Sequence, residues 1–293
     1  MGLFTKRKIK KAQELLDFAI SLKENQVEEA IKIYDEVIKL RPDWSAPYYN
    51  LGLLYKYRND WEQSLYYNTQ SVKLDYENEA GWWNLGIAAT VLNKWEIARE
   101  AWSKCGVEIE INKNEPNMQL GNTPIRLNPN SNPEVVWAKR IDPARAIILN
   151  VPFPSSGRRY SDIVLNDGAP QGYKIVGEIE YAILNELELI KKSDYKTYSC
   201  DIYTSDPKNI EELTKICEQS DIEMEDWSTV RYFCKKCSEG ITHESHDHDL
   251  KEKDKNLSAI GFALTDVELL KEALQKWYVI TLCEYDNLKL ELE

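Results

Sequence analysis

All three histidines of this 293-residue chain, and two of its six cysteines, fall in one short segment. It reads Cys234-Lys-Lys-Cys237-Ser-Glu-Gly-Ile-Thr-His243-Glu-Ser-His246-Asp-His248. Two thiolates on a tight turn, followed by imidazoles, suit a tetrahedral zinc ion, with Zn–S distances of about 2.3 Å and Zn–N distances of about 2.0 Å. Cys234, Cys237, His243 and His248 form the expected ligand set, with His246 as the alternative fourth ligand and Gly240 supplying the turn.

Three chemistries are open to this cluster. A closed structural site leads, because the polar segment around it has little else with which to order itself. A thiol pair without metal is the second. The third is an open catalytic zinc with Glu239 or Glu244 as base, since one histidine is spare and a catalytic zinc keeps a water position. Asp247 and Asp249 stand close enough in sequence to orient ligating imidazoles in either metal case. The spacing resembles that of zinc knuckles. It departs from them in a loop one residue longer before the first histidine and in a histidine where the last cysteine would stand.

No other catalytic constellation competes. The chain has no nucleophile elbow, no phosphate-binding loop and no H-E-x-x-H helix. Any Ser-His-Asp triad would have to draw its histidine from the cluster. The paired acids at Glu178 and Glu180, at Glu186 and Glu188, and from Glu223 to Asp226 read as solvated faces.

The elements around this cluster begin with a repeat. Tyr48-x-x-Leu51-Gly52-x-x-Tyr55, then Ser64, Asn68 and Ser71, recurs 34 residues later as Trp82-x-x-Leu85-Gly86-x-x-Ala89, then Ala98, Trp102 and Cys105. A weaker first copy has Ala30, Tyr34 and Val37 in register, and Pro42 closes it. This period and pattern resemble the tetratricopeptide repeat, three copies over roughly residues 11 to 105. Each copy would be two antiparallel helices, with Gly52 and Gly86 allowing close approach at about 1 kcal/mol of helix propensity each.

The resemblance implies a concave surface lined by the first helix of each pair. That places Tyr49, Leu53, Lys56 and Tyr57 from the second copy and Trp83, Ile87 and Val91 from the third in a groove, with Leu15, Ala19 and Leu22 from the first. It further implies binding of a protein or peptide partner segment. Only Lys56 fits the family's carboxylate-clamp version, so capture of a terminal carboxylate is not expected. The plain alternative is that these side chains pack on the protein's own second half.

Residues 1–106 are therefore read as a helical repeat domain and 107–134, crowded with Asn and Pro, as a linker. Residues 135–293 are read as a mixed α+β domain with the metal-binding insert at 234–248. Strand patterns at Val135–Ala138, Arg145–Val151 and Asp162–Leu165 suggest a small barrel-like β module or a decorated sheet, with Asn166-Asp167-Gly168 as a turn. Two strand–helix–strand units follow: Thr197–Thr204, Asn209–Gln219 and Ile222–Trp227, then Ser258–Leu264, Asp266–Lys276 and Tyr278–Tyr285. Two such units are the makings of a ferredoxin-like split βαβ sheet.

Charge bounds the partners. Net charge is −12, and residues 1 to 105 carry 15 basic and 15 acidic side chains. The acidic excess therefore lies wholly in the rest. An acidic surface argues against nucleic acid, whose binding rests on phosphate neutralisation. No apolar run reaches membrane-spanning length. The basic start, Met1 to Lys11, leads into an amphipathic helix rather than a signal-peptide core, and Lys6 stands where myristoylation wants Ser or Thr. Cysteines are too sparse for a disulfide scaffold, so a reduced, cytoplasmic protein is expected. The expected function is an interaction adaptor or scaffold with a structural zinc site. The alternatives are a zinc-dependent enzyme using the cluster and an acidic inhibitor of a basic toxin or nuclease.

Overall fold

The computed structural model describes residues 3–228 and 257–293, in two compact units that part between Asn117 and Met118. The first unit is six helices: α1 Leu3–Ser21, α2 Val27–Leu40, α3 Ser45–Lys56, α4 Trp61–Leu74, α5 Glu79–Val91 and α6 Trp95–Lys104. A single 3-10 turn at Glu24–Gln26 separates the first two. None is long and apolar enough to cross a membrane.

The 34-residue period is written into the turns as well as the cores. Asn59 and Asn93, one period apart, both take left-handed backbone (φ 57° and 55°) where α3 and α5 end. Asparagine tolerates this conformation better than other side chains do. Asp60 caps α4 by accepting from Gln63 N, and Asn78 caps α5 by accepting from Gly81 N. Inside the pairs, a Cβ on Gly52 would lie 2.5 Å from Asn68, and one on Gly86 would lie 2.6 Å from Trp102. The glycines are there because the second helix of each pair occupies that space.

The first copy departs from the pattern. Its first helix starts near the N-terminus rather than at Lys11. Ala12, Leu16 and Ala19 form its buried stripe, packed with Ala30, Tyr34, Val37 and Leu51. Ala19, expected on the groove, is core, and Phe18, at the glycine-equivalent position, is half-exposed. After α6, Val107 N donates to Trp102 O across left-handed Gly106, a Schellman-type stop. The chain then runs extended past Arg99, whose guanidinium donates to the carbonyls of Glu110 and Asn114, each at 2.8 Å.

The second unit holds two sheets. Strands β1 Asn122–Leu127, β2 Glu134–Arg140, β3 Arg145–Ile148, β4 Ile163–Val176 and β5 Ile179–Lys191 form a closed barrel. Successive strands pair antiparallel, and a short parallel β1–β5 pairing at Ile125↔Leu184 and Arg126↔Asn185 shuts it. Ile125, Leu127, Val136, Ala138, Ala146, Ile148, Val164 and Leu184 fill its core. The second sheet has the order β7-β8-β6-β9, built from β6 Lys196–Tyr203, β7 Glu223–Asp226, β8 Leu257–Leu264 and β9 Tyr285–Leu292. Every neighbouring pair in it is antiparallel. Helices α7 Pro207–Gln219 and α8 Val267–Thr281 pack against it through Leu213, Ile216, Leu270, Leu274 and Trp277.

Three expectations for this half need correction. Residues 107–134 contain β1 and are not loop throughout. Asn166-Asp167-Gly168 does not turn the chain: β4 runs through it along a stretch of register shifts, and the reversal comes at Gly177-Glu178. Asn166 is held inside by donating to the carbonyls of Pro143 and Asp167. The last strand is Tyr285–Leu292, not Tyr278–Tyr285, because α8 continues to Thr281 and closes on left-handed Leu282.

Barrel and second sheet meet at Trp227. Its indole donates to Val151 O at 2.8 Å, its ring lies against Phe153, and it rests where a Cβ on Gly261 would stand.

Candidate functional site

Six of the residues expected to line a groove, Tyr49, Leu53, Lys56, Tyr57, Trp83 and Ile87, lie on α3, just beyond its end, and on α5, the first helices of the second and third pairs. The structure brings them together unevenly. Lys56, in the last turn of α3, is buried, and its Nζ donates to Asn84 Oδ1 on α5 at 3.1 Å. The same ammonium sits 4.5 Å from the centre of the Tyr57 ring. Tyr57 is 60% exposed. Tyr49 and Leu53 are half-buried. Trp83 is half-buried as well, meeting the fully buried Trp102 edge-on at 5.2 Å. Ile87 is fully buried. Tyr57 is thus the most exposed of the six, Tyr49, Leu53 and Trp83 are partly exposed, and Lys56 and Ile87 are buried.

Asn84 was not among the expected residues, yet it ties α3 to α5. Its signal was available: Asn50 and Asn84 are one period apart. Asn50 hydrogen-bonds Tyr34 of the preceding pair, which offsets part of the rise that burial causes in the Tyr34 pKa. The same position in two copies thus reaches back to the pair before it. A charge-assisted hydrogen bond such as Lys56–Asn84 fixes helix spacing more firmly than apolar contact alone.

The second pair has a polar seam where a large apolar side chain would be usual. Ser64 Oγ donates to Gly52 O at 2.9 Å, and Asn68 Nδ2 donates to Ser64 O at 2.9 Å. Next to it, Tyr55 and Tyr67 stack at 5.5 Å, and burial pushes the Tyr67 hydroxyl up to about 12. These phenols stay neutral at any physiological pH.

Cys234, Cys237, His243, His246 and His248 lie outside the described residues. Among the described residues, no group of His, Cys, Asp and Glu is placed to hold a metal ion. Burial drives the thiols of Cys200 and Cys217 up to about 12 and that of Cys105 to about 11, so they remain protonated and poor nucleophiles.

One further ionisable cluster lies where barrel and second sheet meet. Both carboxylate oxygens of Glu134 accept from Phe153 N, at 3.2 and 3.1 Å. Asn150 donates to Glu225 at 2.8 Å while accepting from Trp137 N. Burial, with a smaller push from Glu225, raises the Glu134 carboxyl to about 7.

Residues 20–57 match the family model described as "TPR repeat". No curated protein matches the chain. Among solved structures, the second TPR of Spaghetti (RPAP3), bound to an HSP90 peptide, is 22% identical with a TM-score of 0.33, covering 34% of this chain and 94% of that one. The C-terminal TPR-containing domain of a Plasmodium falciparum protein named for FK506 binding is 20% identical with a TM-score of 0.32, covering 35% and 79%. The N-terminal third of this chain carries tetratricopeptide repeats.

Proposed function

We propose that the repeat unit is an adaptor surface holding a segment of a partner protein between the first helices of its second and third pairs. The observation that carries this reading is Tyr57, exposed beside the buried Lys56–Asn84 bond. An aromatic ring on a frame tied by a buried hydrogen bond is suited to act as an interface anchor, because less entropy is lost when it is ordered by a partner. Tyr49, Leu53 and Trp83 extend that surface, and Ile87 is buried. The test is capture of partners from cell extract by the whole chain and by Tyr57→Ala and Tyr49→Ala variants. Loss of a partner with unchanged thermal stability is expected, and undiminished capture by both variants would overturn the reading.

The second unit is read more finely as a barrel joined to a ferredoxin-like sheet. The units β6–α7–β7 and β8–α8–β9, with the order β9-β6-β8-β7 and antiparallel neighbours, support a split βαβ. The zinc site at Cys234, Cys237, His243 and His248 remains a proposal resting on sequence spacing. Its test is elemental mass spectrometry of the purified protein beside a Cys234→Ser, Cys237→Ser variant. One zinc per chain, absent from the variant together with thermal stability, is expected for a structural site. No metal in either would remove it. Sparse cysteines support a cytoplasmic setting.

A further inference from the structure

The β4–β5 hairpin runs past the barrel that roots it. Its pairs from Tyr173↔Ala182 to Val176↔Ile179 lie beyond the last pairing of β4 with β3, at Leu165, and of β5 with β1, at Leu184. Among the described residues no third strand pairs with the stretch beyond Ala182, whose carbonyl accepts from the Thr123 hydroxyl of β1 at 3.1 Å. Pro170, which cannot donate to a ladder, sits in β4 between two register shifts.

The two faces of this ribbon differ. Lys174 sits 4.8 Å over the Trp137 ring, and Tyr181 meets the same ring edge-on at 5.0 Å. That face is turned onto β2. Strand alternation sends Tyr173, Ile175, Glu180 and Ala182 to the other face. There Tyr173 is 59% and Ile175 71% exposed; Val176 and Ile179, also exposed at the tip, fall by the same alternation on the face of Lys174. Apolar side chains gathered on one projecting element mark an interaction site more than scattered ones do.

Charge selects the occupant. Lys174, the one cation between residues 168 and 184, is committed to the inner face. The exposed charges are Glu178 and Glu180. A second copy of the hairpin would set these glutamates against each other, and like charges across a strand pair are destabilising. Charged side chains are also how proteins keep open strands from pairing with themselves. A cationic segment meets the same glutamates favourably.

We infer that the outward face of the β4–β5 hairpin, around Tyr173, Ile175 and Glu180, docks a protein segment that alternates apolar and basic side chains. The apolar side chains supply the buried contact and the glutamates supply orientation and association rate. This surface is separate from the repeat groove and does not depend on it.

The test uses the full chain and a fluorescent ten-residue Lys–Leu alternating peptide, with a Glu–Leu peptide as control, read by anisotropy. The Lys–Leu peptide should bind. Its affinity should fall about tenfold or more in Tyr173→Ser, Ile175→Ser and in Glu178→Lys, Glu180→Lys. The same charge reversal on α7, Glu211→Lys with Glu218→Lys, should change it less than about twofold. Equal loss in the α7 variant would reduce the effect to general attraction by an acidic chain and overturn the inference. Equal binding of the Glu–Leu peptide, or a dimer in sedimentation that Ile175→Ser abolishes, would overturn it as well.

Discussion

Glu134 is the residue at which the fold works against its own chemistry. A carboxyl raised to about 7 from its ordinary 4.5 stays protonated in the folded chain at pH values where the unfolded chain has released its proton. Below pH 4.5 both states are protonated and the residue costs nothing. Between 4.5 and 7 stability falls as pH rises, and above 7 the full cost is present, about 3 kcal/mol for a carboxyl displaced that far. Glutamine keeps an oxygen to accept from Phe153 N and has no charge to bury. Glu134→Gln is therefore expected to match the parent at pH 4 and to exceed it by about 2–3 kcal/mol at pH 8. Urea unfolding at the two pH values checks this, and a pH-independent difference would place the cause elsewhere.

At the scale of elements, the two specific repeat pairs were legible and much of the rest was not, for identifiable reasons. Gly52 and Gly86 announced close helix approach because few other pressures keep glycine in a helix interior. The structure places Asn68 and Trp102, themselves one period apart, against them. In the first copy this signal is absent, and the register of α1 slips from the pattern so that Ala19 turns inward. β1 was hidden because Asn122 and Pro124 carry loop composition, while its pairing with β2 and β5 is long-range. Asn166-Asp167-Gly168 has turn chemistry, yet Asn166 finds partners inside the barrel and β4 continues. Tyr278 to Thr281 suits a strand by propensity, but Trp277, held by Asn209 O at 2.7 Å, carries the helix a turn further. The helix-pair geometry makes its own prediction. Alanine for a helix glycine ordinarily gains up to about 1 kcal/mol. Gly86→Ala should instead lose about 1–3 kcal/mol, because its Cβ meets the fully buried Trp102 ring. Denaturant unfolding decides the sign, and a stabilised variant would show that the pair can part without cost.

At the scale of the whole molecule, charge and aromatic surface fall in different parts of the chain. Residues 1–105 carry 15 charges of each sign, whereas the remainder carries 22 basic against 34 acidic side chains. The repeat surface around Tyr57 is aromatic, and the field of the molecule comes from the second part. The two kinds of contact answer differently to salt. Raising ionic strength from about 0.05 to about 0.5 M shortens the screening length to a few ångströms and suppresses exposed charge attraction, while apolar burial is little affected or slightly strengthened by excluded salts. A partner whose capture depends on Tyr57 should therefore keep its Kd within about threefold across that range. One held by the acidic second part, including a basic segment on the β4–β5 hairpin, should weaken by about tenfold or more. A salt titration of each captured partner, with the Tyr57→Ala and the Glu178→Lys, Glu180→Lys chains in parallel, assigns it to one surface. A Tyr57-dependent partner that dissociates in salt would show that the groove relies on the charge of the rest of the molecule. The repeat unit would then not be the self-sufficient binding surface proposed for it.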